Sequence, residues 1–304
     1  KILFKLIKFI YYNNSKTLLF YGYTFPHIFG AIFAKLLKKR TIIRSVSYDI
    51  GKRNIFLKFL RNVYYRLSNH FFDQFWSVGI LNTLFYQNFG VKKKKIKLID
   101  SSQIDYALIN KKIKNITKKN ILKKHNLPLN KKYMLFAARF KKMKNPTLLI
   151  ESFISANVYK DWKLLMVGDG SLKYKMKSIC GEHLNKNIFI LNYQNQIEIS
   201  EFYKISDILV LTSNYGETHG NVICESIQFG CAILTSDRVG LHPEVKKYKI
   251  GSVFKPYTKK NLSKEINKIT NNIRLLKLFK INASKYSIKK KPKYVANLII
   301  KYLT

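Results

Sequence analysis

The sequence predicts an α/β fold: two Rossmann-like, doubly wound domains facing a cleft, the first of them incomplete. Three observations predict it. Apolar runs of strand length alternate with helical patterns along the whole chain, the signature of parallel βαβ units. The length of 304 residues suffices for two domains, each with its own core. A polar, lysine-rich stretch ending Leu127-Pro128-Leu129-Asn130 separates two blocks of alternation and reads as a linker with a short basic helix. Apolar residues make up 47% of the chain, so it is built to pack and is not disordered.

In chain order, the opening KILFKLIKFIYY has the look of a short basic leader. Its interspersed lysines break any apolar core, and no small-residue cleavage site follows. The first strand candidates are TLLFYG (17–22), TIIRSVS (41–47), QFWSVG (74–79) and KIKLIDS (95–101). Between them lie the helical patterns FPHIFGAIFAKLLKK and NIFLKFLRNVYYRLSNHF. No strand with a glycine-rich turn precedes residue 17, and the chain starts without methionine. The first domain is therefore expected to lack its opening portion. In the second half the strand candidates are YMLFAAR (133–139), WKLLMVG (162–168), NIFILN (187–192), DILVLTS (207–213) and CAILTSD (231–237). PTLLIESFISA, SLKYKMKSIC, EISEFYKIS and NVICESIQF fill the gaps as helices. The expected limits are 1–112 for the first domain, 113–130 for the linker and 131–285 for the second domain. Residues 286–304 are expected to form a helix packing back on the first domain.

Charge and cysteine usage narrow the function classes. There are 57 Lys and Arg against 16 Asp and Glu, a formal net charge of +41. Such charge suits an anionic partner, but the lysines spread along the chain as solvated faces do. The aromatics fall mostly on apolar helix and strand positions, not interleaved with basic residues on one face, so nucleic acid is not an expected partner. Cys180, Cys224 and Cys231 show no paired spacing and the six histidines no HxxxH, which speaks against disulfides and zinc and for a reducing compartment. No apolar run reaches the roughly 18 residues of a membrane span. The expectation is a cytoplasmic protein, in peripheral contact with the anionic inner face of a membrane through helices such as NIFLKFLRNVYYRLSNHF.

Carboxylates are scarce, yet SNYGETHGNVICES (213–226) holds Glu217 and Glu225 eight positions apart. The strand before it ends near Ser213 and the next helix starts after Gly220. The loop thus lies at the carboxyl end of a strand, where open α/β sheets bind ligands. A helix N-terminus with its unpaired N–H groups seats a phosphate, and Gly220 admits close backbone approach. Carboxylates on either side of that seat suit the hydroxyls at the two ends of a diphosphate. A helical glutamate near an N-terminus also serves simply to compensate the dipole. On the equivalent strand end, Arg139 offers a bidentate fork and Lys144 a point charge for the same diphosphate. The turn VGDGS (167–171) fits a strand-to-helix connection and equally a plain tight turn.

The run from Tyr133 to about Val245 resembles the C-terminal domain of retaining glycosyltransferases of the GT4 family, which have the two-domain GT-B fold. The resemblance rests on Arg139 and Lys144 in an R-x4-K element, VGDG, NYQNQIEISEFYKISDILVLTSNYGE, the Glu217–Glu225 pair in an E-x7-E element, and SDRVG (236–240). FYGY, IIRSVS, WSVG and GVKKKKIKLIDSSQID are similar to the N-terminal domain of polysaccharide-building members. The resemblance implies a sugar moved from a nucleotide-diphosphate donor to a glycan or lipid-linked glycan, in cell-surface polysaccharide synthesis. It implies that Arg139 and Lys144 neutralise the diphosphate and that Glu225 holds the ribose. Glu217, with the loop from His219 through Gly220 and Asn221 to Val222, would hold the transferred sugar and phosphate. Tyr193 falls where the base packs, and Gly168 lies in the glycine turn on the donor side. No DxD motif is present, and the resemblance implies no metal and no cofactor, the nucleotide sugar being a substrate.

Several positions depart from the family's pattern. The glycine-rich loop after a first strand is absent. No N-domain histidine is evident where Arg44 and Ser47 occupy the comparable strand end. His219 stands where an aromatic often precedes the glycine. His27, in TFPHIFG, either lines the acceptor side or packs locally at a helix start. The alternatives are a catalytically weakened GT-B fragment acting as a binding or scaffold protein, a nucleic-acid binder driven by charge, and a nucleotide-sugar epimerase of the same fold.

Overall fold

The computed structural model describes residues 2–47, 54–100, 109, 112–255 and 257–303. The chain forms two units, one of Lys1–Ser101 with Val295–Thr304 and the other of Ser102–Tyr294. In the first unit the elements are α1 (Ile2–Tyr12), β1 (Thr17–Tyr21), α2 (Phe25–Leu36) and β2 (Arg40–Arg44). They continue as α3 (Ile55–Asn69), β3 (Gln74–Ser77), α4 (Ile80–Asn88) and β4 (Ile96–Leu98). The opening basic segment is thus helix α1, and its Leu6 and Ile10 pack in the same core as Phe20 and Ile28. The strand candidate at 95–101 and the stretch GVKKKKIKLIDSSQID run on beyond Asp100 into positions outside the described residues.

Local chemistry accounts for these boundaries. Thr24 caps α2, its hydroxyl accepting from the His27 N–H at 3.4 Å, with Pro26 in the first turn. Asn54 caps α3 in the same way at Phe56 N–H, 3.0 Å away. The four strands are parallel and lie in chain order, β1-β2-β3-β4. Right-handed crossovers that all advance one way put their helices on one face. Phe20, Ile43 and Phe75 stand in register across three strands and pack with those helices. The opposite face carries Ile42, Trp76 and Ile99, which pack with Val295, Ile299 and Tyr302 of the C-terminal helix Pro292–Leu303. Arg40 donates to the Tyr302 and Leu303 carbonyls at 2.8 and 2.9 Å, satisfying two groups that a helix end leaves open.

The second unit begins with α5 (Lys118–Lys124), β5 (Lys132–Ala137), α6 (Pro146–Ala156), β6 (Trp162–Val167) and α7 (Lys173–Cys180). Next come β7 (Ile188–Leu191), α8 (Gln196–Ile205), β8 (Ile208–Leu211), α9 (Asn221–Ser226) and β9 (Ala232–Ser236). It ends with α10 (His242–Lys247), β10 (Gly251–Phe254), α11 (Lys259–Thr270) and α12 (Ile273–Ser287). All pairings are parallel in the order β10-β9-β8-β5-β6-β7. Every residue of β6, β8 and β9 is buried, as strands covered on both faces are. Tyr133, Leu135, Leu165, Leu209 and Ile233 feed one core, and Met134, Phe136, Leu164, Ile208 and Leu234 feed the other. β10, α11 and α12 carry no long apolar run, which is why sequence pattern alone missed them. In α11 the buried side is only Leu262, Ser263, Ile266 and Ile269 among lysines and asparagines. No described helix is long and apolar enough to cross a membrane.

Candidate active site

Strand order in the second sheet reverses between β5 and β8, and a crevice opens outside the carboxyl ends of strands at such a switch point. A pocket of about 700 Å³ lies there. One wall is the exit of β5 at Ala137, Ala138 and Arg139, and another is the turn Val167–Gly170 after β6. Tyr193, Gln194 and Gln196 form its lip, and Ile199, Tyr203, Val222 and Glu225 of α8 and α9 close the far side.

The first two walls are held together by main chain. Phe140 N–H donates to the Asp169 carbonyl at 2.8 Å, and Ala138 N–H to the Val167 carbonyl at 3.2 Å. A Cβ on Gly168 would lie 2.1 Å from the Ala138 carbonyl oxygen, so only glycine lets the two turns meet. Gly168 therefore lines the pocket and is also demanded by packing. The lip is set by a capping box at the start of α8. Asn195 accepts from Ile197 and Glu198 N–H at 2.9 and 3.1 Å, and Glu198 accepts from Asn195 N–H at 3.0 Å. Tyr193, just before it, is 75% exposed on the rim.

Glu225 reaches the pocket from α9, where the Tyr203 hydroxyl donates to it at 2.6 Å. Burial pushes its carboxyl above the ordinary glutamate range, and the tyrosine bond partly opposes that. Tyr203 and Ile199 lie one turn apart on α8 and face the pocket together. That i, i+4 spacing in EISEFYKIS was the available signal for Tyr203, a residue that sequence reasoning passed over.

Glu217 and Lys144 sit differently. Lys144 forms an ion pair with Glu217, and Ser213 Oγ donates to the same carboxylate at 3.3 Å. Burial draws the Lys144 ammonium below the usual lysine value. Neither residue lines the pocket, whereas sequence reasoning aimed Lys144 and Arg139 at one spot. The pair is carried by two stapled loops. Thr212 Oγ1 donates to the Lys144 carbonyl at 2.8 Å and Asn214 N–H to the Met143 carbonyl at 3.0 Å. On the other side Gly240 N–H donates to the Glu217 carbonyl at 2.9 Å and Leu241 N–H to that of His219 at 3.1 Å. Gly220 caps α9 in the left-handed region at φ 92°, followed by the half-buried Asn221 and Val222. The His219 ring is buried, with Nε2 3.7 Å from Cys224 Sγ, so any contact to a ligand falls to its main chain.

Residues 117–286, more than half of the chain, match the family Glycosyl transferases group 1. The chain belongs to the group 1 glycosyl transferases. Its fold, GT-B, is shared by a glycosyltransferase from Rickettsia africae ESF-5, with a TM-score of 0.74 at 16% identity over 99% of this chain and 79% of that one. HepE from Anabaena, solved in complex with UDP, gives 0.72 at 15% identity over 99% and 81%. The lipopolysaccharide outer core galactosyltransferase WaaB, in its apo form, gives 0.69 at 14% over 99% and 79%. No curated protein matches.

In this glycosyltransferase the three residues expected on the acceptor side lie near the carboxyl edge of the first sheet, each with a partner of its own. Arg44 ends β2, and its Nη2 donates to the Asp100 carbonyl at 3.2 Å. The Ser47 carbonyl accepts from Asn82 Nδ2 at 2.6 Å. His27 packs locally: its Nδ1 is 3.2 Å from the Gly22 carbonyl and its ring meets Phe20 edge-on. The three cysteines are buried, and among the described residues no three His, Cys, Asp or Glu side chains gather as ligands for a metal.

Proposed function

We propose that this group 1 glycosyltransferase is a retaining, metal-independent enzyme moving a sugar from a nucleoside diphosphate to a glycan or lipid-linked glycan in cell-surface polysaccharide synthesis. The observation that carries this reading is the pocket at the switch point, with an arginine at one wall and a half-buried glutamate at the other. Tyr193 offers an exposed ring for the base, and Glu225 accepts hydrogen bonds from the ribose hydroxyls. Arg139 forks onto the diphosphate, with the N–H groups at Asn221 and Val222 as further donors. The Lys144–Glu217 pair lies outside that pocket, and we assign it to the part of the donor that extends beyond it, the ammonium meeting the phosphate and the carboxylate the sugar.

As the bond between sugar and phosphate oxygen breaks, its electron pair stays on the oxygen, and negative charge grows on the diphosphate. Cations fixed beforehand stabilise that charge most when it is largest, which lowers the barrier. The acceptor hydroxyl attacks from the face the diphosphate leaves, so no enzyme nucleophile is required. The UDP bound by HepE and the lipopolysaccharide outer core in the name of the galactosyltransferase WaaB support a nucleotide donor and a surface glycan. We place the protein at the cytoplasmic face of a membrane, in peripheral contact with anionic lipid, where a lipid-linked acceptor is found.

The test is product analysis by mass spectrometry with UDP-, GDP- and ADP-sugars and a lipid-linked acceptor, in the presence of EDTA. Transfer with the donor's anomeric configuration kept is expected. An inverted product, or a rate that returns only with added Mg²⁺, overturns the reading. Nucleotide binding with no transfer to any acceptor would favour the scaffold alternative.

A further inference from the structure

A second pocket, of about 640 Å³, lies at the amino edge of the first sheet, the end opposite Arg44 and Ser47. Arg66 and His70 at the end of α3 and Lys92, Lys94 and Lys95 before β4 line it, and none of its lining residues is acidic. These groups are positioned. Arg66 Nε donates to Asn62 Oδ1 at 2.6 Å, His70 Nδ1 lies 2.8 Å from the Arg66 carbonyl, and Lys95 Nζ donates to the Phe72 carbonyl at 3.4 Å. Lys92 and Lys94 are exposed at the mouth.

Helix α3 supplies an independent observation. It packs inward through Tyr65, Ser68 and Asn69, with the Arg61 guanidinium 5.4 Å from the Tyr65 and Phe89 ring centres. Outward it shows Phe56, Leu60, Val63 and Leu67 at i, i+4, i+7 and i+11, exposed by 63, 47, 40 and 61%. That is an apolar stripe at helical period where an exposed face is ordinarily polar. An apolar helix stripe flanked by fixed cations matches the two layers of an anionic bilayer surface, acyl chains below and phosphates above.

We propose that α3 and the basic pocket beside it are a docking site for an anionic phospholipid, the stripe entering the acyl boundary and the pocket holding the headgroup phosphate. The proposal rests on the membrane contact inferred above and gives that contact a place. It predicts that affinity for the membrane depends on particular lysines and not on total charge.

The test is flotation of the full chain with phosphatidylcholine vesicles, with and without phosphatidylglycerol. Each lysine near such a surface contributes on the order of 1 kcal/mol, so Lys92→Ala/Lys94→Ala should weaken binding to the anionic vesicles about tenfold or more. Leu60→Ser/Leu67→Ser should weaken it comparably. Lys175→Ala/Lys177→Ala, which removes the same charge from an exposed face of α7, should change it less than about twofold. Equal losses in the two lysine variants overturn the pocket and leave a diffuse electrostatic contact standing. A parent chain that does not float with anionic vesicles at low salt overturns the docking site and the membrane contact together. Tighter binding to an acidic polypeptide such as polyglutamate than to vesicles, abolished by Lys92→Ala/Lys94→Ala, reassigns the pocket to a protein partner.

Discussion

Both sheets are made from parallel βαβ units, but their carboxyl ends are constructed differently. In the second unit the loops leaving β5, β6, β8 and β9 are bound to one another through main chain, at Phe140–Asp169, Asn214–Met143 and Gly240–Glu217. Glycines let these loops touch: a Cβ on Gly240 would lie 2.0 Å from the Thr218 carbonyl oxygen. Among the described residues of the first unit, the exits of β1 and β2 share a main-chain bond, Gly22 to Arg44 at 2.8 Å, those of β3 and β4 share another, Ile99 to Ser77 at 2.8 Å, and Asn82 holds Ser47 by its side chain. Gly22 has open space around its missing Cβ. The end of β1 is also more open, with Tyr21 64% exposed. Main-chain stapling fixes donors and charges before a ligand arrives, which is the condition for electrostatic catalysis. A surface held by side chains can be reshaped to suit varied acceptors without disturbing the fold.

The sharpest way to break this comparison is to add a methyl group at each kind of turn. Gly168→Ala forces a backbone clash and should cost about 3 kcal/mol. Gly22→Ala, at φ +80° in open space, meets only the left-handed penalty and should cost about 1 kcal/mol. Urea unfolding measures both, and equal costs would erase the contrast between the two edges.

Next in size is Glu217→Gln, which should lower turnover about a hundredfold while sparing free nucleotide affinity, as loss of a contact made chiefly in the transition state does. Steady-state kinetics beside calorimetry with the free nucleotide separates the two, and a variant that turns over like the parent reduces the pair to structural electrostatics. Arg139→Ala should weaken nucleoside diphosphate binding about tenfold to a hundredfold, the loss of a charged hydrogen-bond donor. Arg44→Ala, in the other unit, should leave that binding unchanged and lower transfer to the acceptor only. A loss of nucleotide affinity at Arg44 would mean that the donor site is not confined to the second unit.

The smallest effect concerns pH. Burial raises the Glu225 carboxyl, so the folded chain keeps a proton that the unfolded chain releases. The stability this provides is fully present below the ordinary, unfolded value and is lost as pH rises through the folded one. Relative to the parent, Glu225→Gln should therefore gain stability across that upward window, whereas affinity for the nucleotide should rise in the parent alone if, as proposed, the charged carboxylate accepts from the ribose. Melting temperatures and calorimetry at several pH values read both. A parent and variant with parallel profiles would show that Glu225 titrates normally.

Much of the site could be read along the chain. Arg139, Gly168, Tyr193, Val222 and Glu225 all line the pocket: the end of an apolar run marked Arg139 and the scarcity of carboxylates marked Glu225, whereas the family resemblance supplied Gly168, Tyr193 and Val222. The apolar runs slightly overshoot the strands: Arg139, Gly168 and Ser213 have already left β5, β6 and β8. The edge strand β10 and helices α10 to α12 escaped, since a short strand opening on Gly-Ser and helices rich in lysine show weak periodicity.

By itself the sequence determined what is local. Alternating apolar runs dictated parallel strands and covering helices, capping residues dictated where helices begin, and the excess of lysine dictated a basic surface. Only the tertiary structure decided which strands are neighbours, and with that which side chains meet. The Lys144–Glu217 pair joins positions 73 apart, and the Tyr203–Glu225 bond joins positions 22 apart. Each depends on strand or helix packing that no window of sequence contains. The same holds for Arg40, which meets carbonyls 262 and 263 positions away at the end of the C-terminal helix. Period and propensity act over a few residues, whereas contacts between elements follow from burying two faces of each sheet at once, a condition set by the whole chain.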